Sequence, residues 1–127
     1  MIVDLEDLDT DEDLTTYQGQ PLTGTTQAWY PNGVKWREYP YIDGFEQGLC
    51  KEWHSNGQLK CEWFAIRGRI DGTETVWHEN GQVKSVAIYS KGVELAYDEW
   101  SDAGQLVTHR ELDQQSELWK YANGSNP

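Results

Sequence analysis

The chain has 127 residues, with 22 acidic and 10 basic side chains, a formal net charge of −12 and 13% aromatic residues. That length holds one domain. The acidity excludes non-specific binding to nucleic acid, whose phosphates need Lys and Arg, and to an anionic membrane surface; it favours a basic protein partner, because opposite fields steer encounter.

Residues 1–16 form an acidic head. Asp4, Glu6, Asp7, Asp9, Asp11, Glu12 and Asp13 all precede the first basic residue, Lys35. Ile2, Val3, Leu5, Leu8 and Leu14 punctuate it. Two readings stay open. Dense like charge opposes compaction and makes a solvated tail; a repeat array also needs a cap over each open end, and this segment is placed to be one. The head has no basic region followed by an apolar run, so it does not read as a signal peptide. No stretch approaches the ~20 apolar residues that span a bilayer. Cys50 and Cys61 flank one turn and read as two reduced thiols. The expected location is cytoplasmic.

Residues 17–124 form the repeat domain. Trp29, Trp53, Trp77 and Trp100 recur at intervals of 24, 24 and 23 residues, and each is followed four residues later by a glycine: Gly33, Gly57, Gly81 and Gly104. A fixed period of this length signals a repeat architecture. In the second unit, Leu49–His54 reads as a strand, Ser55-Asn56-Gly57 as a turn and Leu59–Ile66 as the return strand. Asn-Gly is a strong hairpin signal, since both residues tolerate positive φ. A face built from Trp53, Leu59, Cys61 and Trp63 requires an odd loop, which a three-residue turn with a left-handed glycine supplies. Gly68 and Gly72 mark a second, looser turn in this unit, and Gly44 and Gly92 recur at the place of Gly68 in its neighbours. The expected fold is all-β: antiparallel hairpins of about 24 residues, joined into a curved single-layer meander. The tryptophans are expected to stack as a ladder in the core or along one sheet face. The fourth unit departs from the pattern, with Leu95 for glycine and Ala103 for asparagine, as terminal repeats do. Leu118–Gly124 echoes the motif and reads as a final strand or half repeat.

The phrases Trp53-His54-Ser55-Asn56-Gly57-Gln58-Leu59-Lys60 and Trp77-His78-Glu79-Asn80-Gly81-Gln82-Val83-Lys84 resemble the MORN-variant repeat, in particular the YwqK-type antitoxin family of bacteria. The first unit lacks the Gln and the fourth lacks Asn and Lys. The resemblance covers roughly residues 17–112 and does not extend to the acidic head. It implies a curved single-layer sheet and a role as the protective partner of a toxin with a nuclease or nucleotide-modifying domain. MORN-type repeats elsewhere serve as interaction scaffolds, some near membranes. The Tyr-x-Gly-x-x-x-x-Gly phrasing of the eukaryotic type does not occur here, which weakens a membrane role.

Chemistry is not apparent in the pattern. His54 and His78 share one repeat position and read as a polar ladder on an exposed face, continued by Tyr30 and Ser101, because a zinc site wants three or four ligands at defined spacing. No nucleophile motif surrounds the serines, and the glycines sit at turn spacing rather than in a phosphate loop. The carboxylates, Glu62, Glu74, Glu79 and Asp98-Glu99 among them, read as solvated charge. The chain is therefore expected not to be an enzyme and to use no cofactor and no metal. The leading expectation is an immunity protein or antitoxin that occludes a basic toxin acting on nucleic acid or nucleotides. Its candidate binding residues are Asp7, Asp9, Asp11, Glu12 and Asp13 in the head, and Tyr30, Glu52, His54 and His78 on the repeats. A general interaction scaffold and an overlooked hydrolase or lyase are the rival classes. The oligomeric state stays open.

Overall fold

The computed structural model describes residues 1–11 and 14–124, Asp11 by its backbone alone. Its frame is four hairpins: β5 (Gly24–Trp29) with β6 (Lys35–Ile42), β8 (Gly48–Trp53) with β9 (Leu59–Ile66), β10 (Arg69–Trp77) with β11 (Val83–Ser90), and β12 (Val93–Trp100) with β13 (Leu106–Glu111). They lie side by side in chain order in one antiparallel sheet, the all-β meander expected from the period. The short β7 (Phe45–Glu46) pairs with β6 off the main path.

Two turn types alternate along the meander. At the tryptophan end each loop has three residues. Gly57 N–H donates to His54 O at 2.9 Å and His54 N–H to Gln58 O at 2.8 Å, and the same pair of bonds recurs at Tyr30/Val34, His78/Gln82 and Ser101/Gln105. The loop glycines take φ of 85–90°, the left-handed position expected for them. Asparagine does not share it. Its Oδ1 instead accepts from the N–H two residues on, as at Asn56 and Gln58, 2.9 Å apart. At the other end the turns are tighter than expected. Asp43-Gly44, Arg67-Gly68 and Lys91-Gly92 all have positive φ, the signature of two-residue type I′ hairpins.

A bulge follows every repeat tryptophan. Trp53 pairs with Leu59, but Glu52 pairs with Cys61, so Lys60 is the extra residue; Trp36, Lys84 and Val107 are its equivalents. The bulge changes the expected face. Cys61 and Trp63 lie opposite Glu52 and Cys50, not in line with Trp53. The tryptophans accordingly leave the core: Trp29 is 50% exposed and Trp53, Trp77 and Trp100 are half-buried. Lys35 Nζ lies between two of them, 5.3 Å from the Trp29 ring and 5.9 Å from that of Trp53, and this cation spacer stands where stacking was expected.

The core lies at the N-terminal end. Val3, Leu22, Tyr39, Tyr41, Cys50 and Ala65 form it, with Leu8, Tyr17 and Trp63 packed against them. Four of these nine, Val3, Leu8, Tyr17 and Leu22, come from the first 22 residues, so the head is a cap rather than a tail. β1 (Ile2–Asp4) adds to the sheet edge in parallel with β5. Gly24 makes room for it, since a Cβ there would meet Met1 O at 2.7 Å. A 3-10 turn (Leu5–Asp7) leads into a small sheet of β2 (Asp9–Asp11), β3 (Leu14–Tyr17) and β4 (Gln20–Pro21). Backbone bonds Thr15 N–H to Gly44 O and Gly44 N–H to Leu22 O tie this sheet to the first hairpin. The division at residues 16 and 17 runs through β3. At the other end Leu118–Gly124 contributes no strand. Glu117–Ala122 is a short helix, α1, capped by Ser116 Oγ accepting from Trp119 N–H at 3.1 Å. It packs on β12 and buries Ala122.

Side chains stitch the hairpins together at both ends. His54 Nε2 lies 2.8 Å from Trp77 O and His78 Nε2 2.9 Å from Trp100 O. A carbonyl only accepts, so both rings carry the proton on Nε2. Tyr30 OH donates to Trp53 O at 2.6 Å in the first unit. Asn32, Asn56 and Asn80 donate to the carbonyls of Ser55, Glu79 and Asp102 at 2.9–3.0 Å. At the type I′ end the N–H groups of Asp43, Arg67 and Lys91 donate to side-chain oxygens of Thr23, Gln47 and Asp71. Replacing Asn56 with Ala removes two bonds and is expected to cost about 1–2 kcal/mol in urea unfolding. His54→Phe keeps a ring, removes the donor and is expected to cost about 1 kcal/mol. Stability unchanged in both variants would show that the stitches are incidental.

Candidate functional site

The two faces of the sheet differ in chemistry. The face that carries the core continues towards β13 as an open row of tyrosines and carboxylates. Glu74 pairs with Ala87, Ala87 with Tyr97 and Tyr97 with Arg110. Gly72 lies opposite Tyr89 and Glu52 opposite Arg37 and Cys61. Neither the N-terminal cap nor the sheet itself covers this stretch fully: Glu52, Glu74, Tyr89 and Tyr97 are half-buried and Arg110 is exposed.

Burial is the main influence on Glu74, Tyr89 and Tyr39. Glu74 is held above the usual carboxylate range, first by burial and then by the nearby charges of Glu94 and Glu52. Burial also raises Tyr89, reinforced by Glu74 and Glu94. Tyr39 donates its hydroxyl to Glu52, and its own ionisation is driven up by burial and by that bond. Two guanidinium groups offset the carboxylates. Arg110 lies 4.0 Å from the Tyr97 ring centroid and donates to both oxygens of Glu94, at 2.7 and 3.2 Å. Arg37 stacks 3.8 Å over Tyr39, and its buried Nε has no hydrogen-bond partner among the described residues. The sequence reading takes Glu74 as solvated charge; the structure corrects this, because the strand's alternation puts Gly72, Glu74 and Val76 on the inward side.

The candidate binding residues fall into three groups. Asp7 lies exposed on the 3-10 turn and Asp9 exposed on β2, while Asp11 ends that strand. Glu12 and Asp13 lie outside the described residues. Tyr30, His54 and His78 sit at the tryptophan end, half-buried, with their polar atoms committed to the next repeat. His54 and His78 line a shallow cavity of about 240 Å³ with Lys60 and Lys84. Glu52 belongs to the inward face. The structure thus does not gather them into one patch.

Cys50 and Cys61 are free. They stand on paired strands but are offset, Cys50 opposite Trp63 and Cys61 opposite Glu52. Burial pushes both thiols up to about 12, which makes them poor nucleophiles at neutral pH. His109 is exposed, bonded through Nδ1 to Asp98, and raised first by that bond. Among the described residues no group of three or more His, Cys, Asp or Glu side chains is placed to hold a metal, and no helix is long and apolar enough to cross a membrane.

The raised Glu74 has a signed consequence. A carboxyl whose folded pKa exceeds its unfolded value binds more protons in the native state between the two values. Its ionisation therefore lowers stability as pH rises through that window. Glu74→Gln is expected to raise the melting temperature by a few degrees at pH 7, and the difference should vanish below pH ~4, where the native carboxyl is also neutral. A variant less stable than the parent at pH 7 would contradict this account.

Comparison with known proteins agrees with the geometry. The profile of the family described as MORN repeat variant matches residues 22–43, 46–64 and 70–91. These segments hold the first three hairpins. The fourth, with its altered turn, lies outside the match. No curated protein matches the chain. Among solved structures, the accessory secretory protein 1, 2 and 3 structure from Streptococcus pneumoniae aligns over 90% of this chain at 13% identity and a TM-score of 0.41. The chain spans about a fifth of that protein's length, 20%. Residues 22–43, 46–64 and 70–91 of this chain are thus matched as repeats of the MORN variant type.

Proposed function

We propose that this protein is a binding module without enzymatic activity, an immunity protein or antitoxin that holds a basic partner domain and covers its active site. One observation carries the reading. The acidic head is folded onto the sheet edge, so that Asp4, Glu6, Asp7 and Asp9 are exposed at fixed positions, with no basic side chain in the first 34 residues. A fixed acidic patch costs less ordering entropy on binding than a flexible tail. It also presents the field that steers a basic nucleic-acid-facing cleft. The tyrosine and carboxylate row on the inward face offers aromatic anchors of the kind that dominate binding energy. The repeat frame supports the coarser half of the proposal, an interaction surface. The nature of the partner rests on the charge and on the resemblance of the turn phrases.

The experiment is affinity capture from native cells, followed by reconstitution of the captured pair from pure components. A stoichiometric complex with one basic domain, whose catalytic activity falls as the complex forms, is the expected result. A varied set of partners bound without inhibition would instead make the chain a general scaffold. With the reconstituted pair, replacing Asp9, Asp11, Glu12 and Asp13 by Asn or Gln is expected to slow association about tenfold or more at low salt and to flatten its salt dependence. An unchanged on-rate in stopped-flow measurements would remove the electrostatic part.

A further inference from the structure

The first repeat differs from the second and third at the bulge position, and a cavity marks the difference. The bulge residue after the turn is Lys60 in the second repeat and Lys84 in the third, where each lines the cavity beside Trp77. In the first repeat it is Trp36. The β1 strand pairs with Thr25, Thr26 and Gln27 and then leaves, so it does not cover the rest of β5, Ala28 and Trp29. The 3-10 turn follows at the same point and stays in contact with β5. The result is a notch of about 390 Å³, with Trp29, Trp36 and Leu5 as apolar walls and Asp4, Glu6 and Gln27 as polar ones.

No cation lines this notch. Lys35 occupies the side of Trp29 that faces Trp53, in the next repeat. Asp4 precedes the 3-10 turn without capping it through its side chain. Among the described residues neither Asp4 nor Glu6 joins an ion pair. Both are exposed at the rim. The protein sets its own cations against aromatic rings, as Arg37 over Tyr39 and Arg110 over Tyr97, and each notch indole already meets one such cation from outside the notch lining, Lys35 at Trp29 and Arg37 at Trp36. On its own side the notch joins these two indoles to two carboxylates outside any ion pair, and its lining holds no Lys or Arg.

We infer that the notch between the 3-10 turn and Trp29/Trp36 is a receptor for an arginine side chain of a protein partner. A guanidinium suits it better than an ammonium. Its plane stacks on an indole while its fork donates to carboxylates. Its weaker hydration makes it easier to seat against an apolar wall. The identification deepens the proposed function, since it names the group on a basic partner that would dock beside the acidic head.

The test does not need the partner. The full chain, labelled with nitrogen-15, is titrated with N-acetyl-arginine amide, and the indole N–H signals of Trp29 and Trp36 are followed. N-acetyl-citrulline amide, the uncharged near-isostere, and N-acetyl-lysine amide are the comparison probes. Saturable shifts confined to those two indoles are expected, strongest for arginine. The double variant Asp4→Asn/Glu6→Gln, whose exposed side chains leave the pairing of β1 intact, should weaken binding roughly fivefold. Trp36→Lys, which restores the residue type of the other repeats, should abolish it. Shifts spread over all seven tryptophans, or equal response to citrulline, would overturn the inference, even if a basic partner were captured. Confined shifts in a protein that captures no basic partner would leave the receptor standing and remove the proposed function.

Discussion

The hydrogen bond that one repeat donates to the backbone of the next is the constraint on which this structure depends. A hairpin of 24 residues cannot bury enough surface to stand alone. Strand pairing joins the hairpins, but backbone bonds alone do not fix register in a sheet so poor in aliphatic side chains. The donors at Tyr30, His54 and His78, with the asparagines two residues on, each reach one carbonyl in the following unit. A slip of one residue would leave all of them unpaired. The repeating sequence phrase is thus mainly a register code. This explains why His54 and His78 recur at one repeat position, and why the asparagine recurs although only the glycine needs positive φ.

With register set at the turns, the faces are free to carry different chemistry. The bulge after each tryptophan rotates the strand and lets the inward face collect tyrosine, cysteine and glutamate instead of the tryptophans. Such a face is too polar to form a deep core. The closed core forms only where residues 1–22 supply Val3, Leu8, Tyr17 and Leu22 to cover it. The acidic head therefore has two roles that pull on different atoms. Its apolar side chains complete the interior, and its carboxylates remain in water next to the first repeat.

Much of this was legible in the residues. The period and the hairpin frame follow from spacing, and the three-residue loop with its left-handed glycine from the pairing of Trp53 with Leu59, although Cys61 and Trp63 do not share that face. The type I′ turns were legible only in part: Asp43-Gly44 is a standard pair for them, but Arg67 and Lys91 are not, and in the structure their N–H groups donate to side-chain oxygens 20 residues earlier, on Gln47 and Asp71. The burial of Glu74 and the outward placement of the tryptophans depend on a bulge, which leaves no mark in a single repeat. The helix at Glu117–Ala122 did leave one, with a serine cap before an acidic first turn and a lysine near its end. The echo of the repeat phrase in Leu118–Gly124 obscured it.

The stitches also give the array a direction. Each unit offers donors forward and acceptors backward. At the fourth unit the forward donors end: Ser101 Oγ turns back to accept from Gln105 N–H in its own loop, and Ala103 stands where asparagine would donate. The far edge can thus receive but not pass on. A further 24-residue unit duplicated inside the array, between the second and third hairpins, would find both halves of every bond. The same unit appended beyond Glu111 would meet a neighbour with nothing to offer it, so the length of the ruler is written into its last mark.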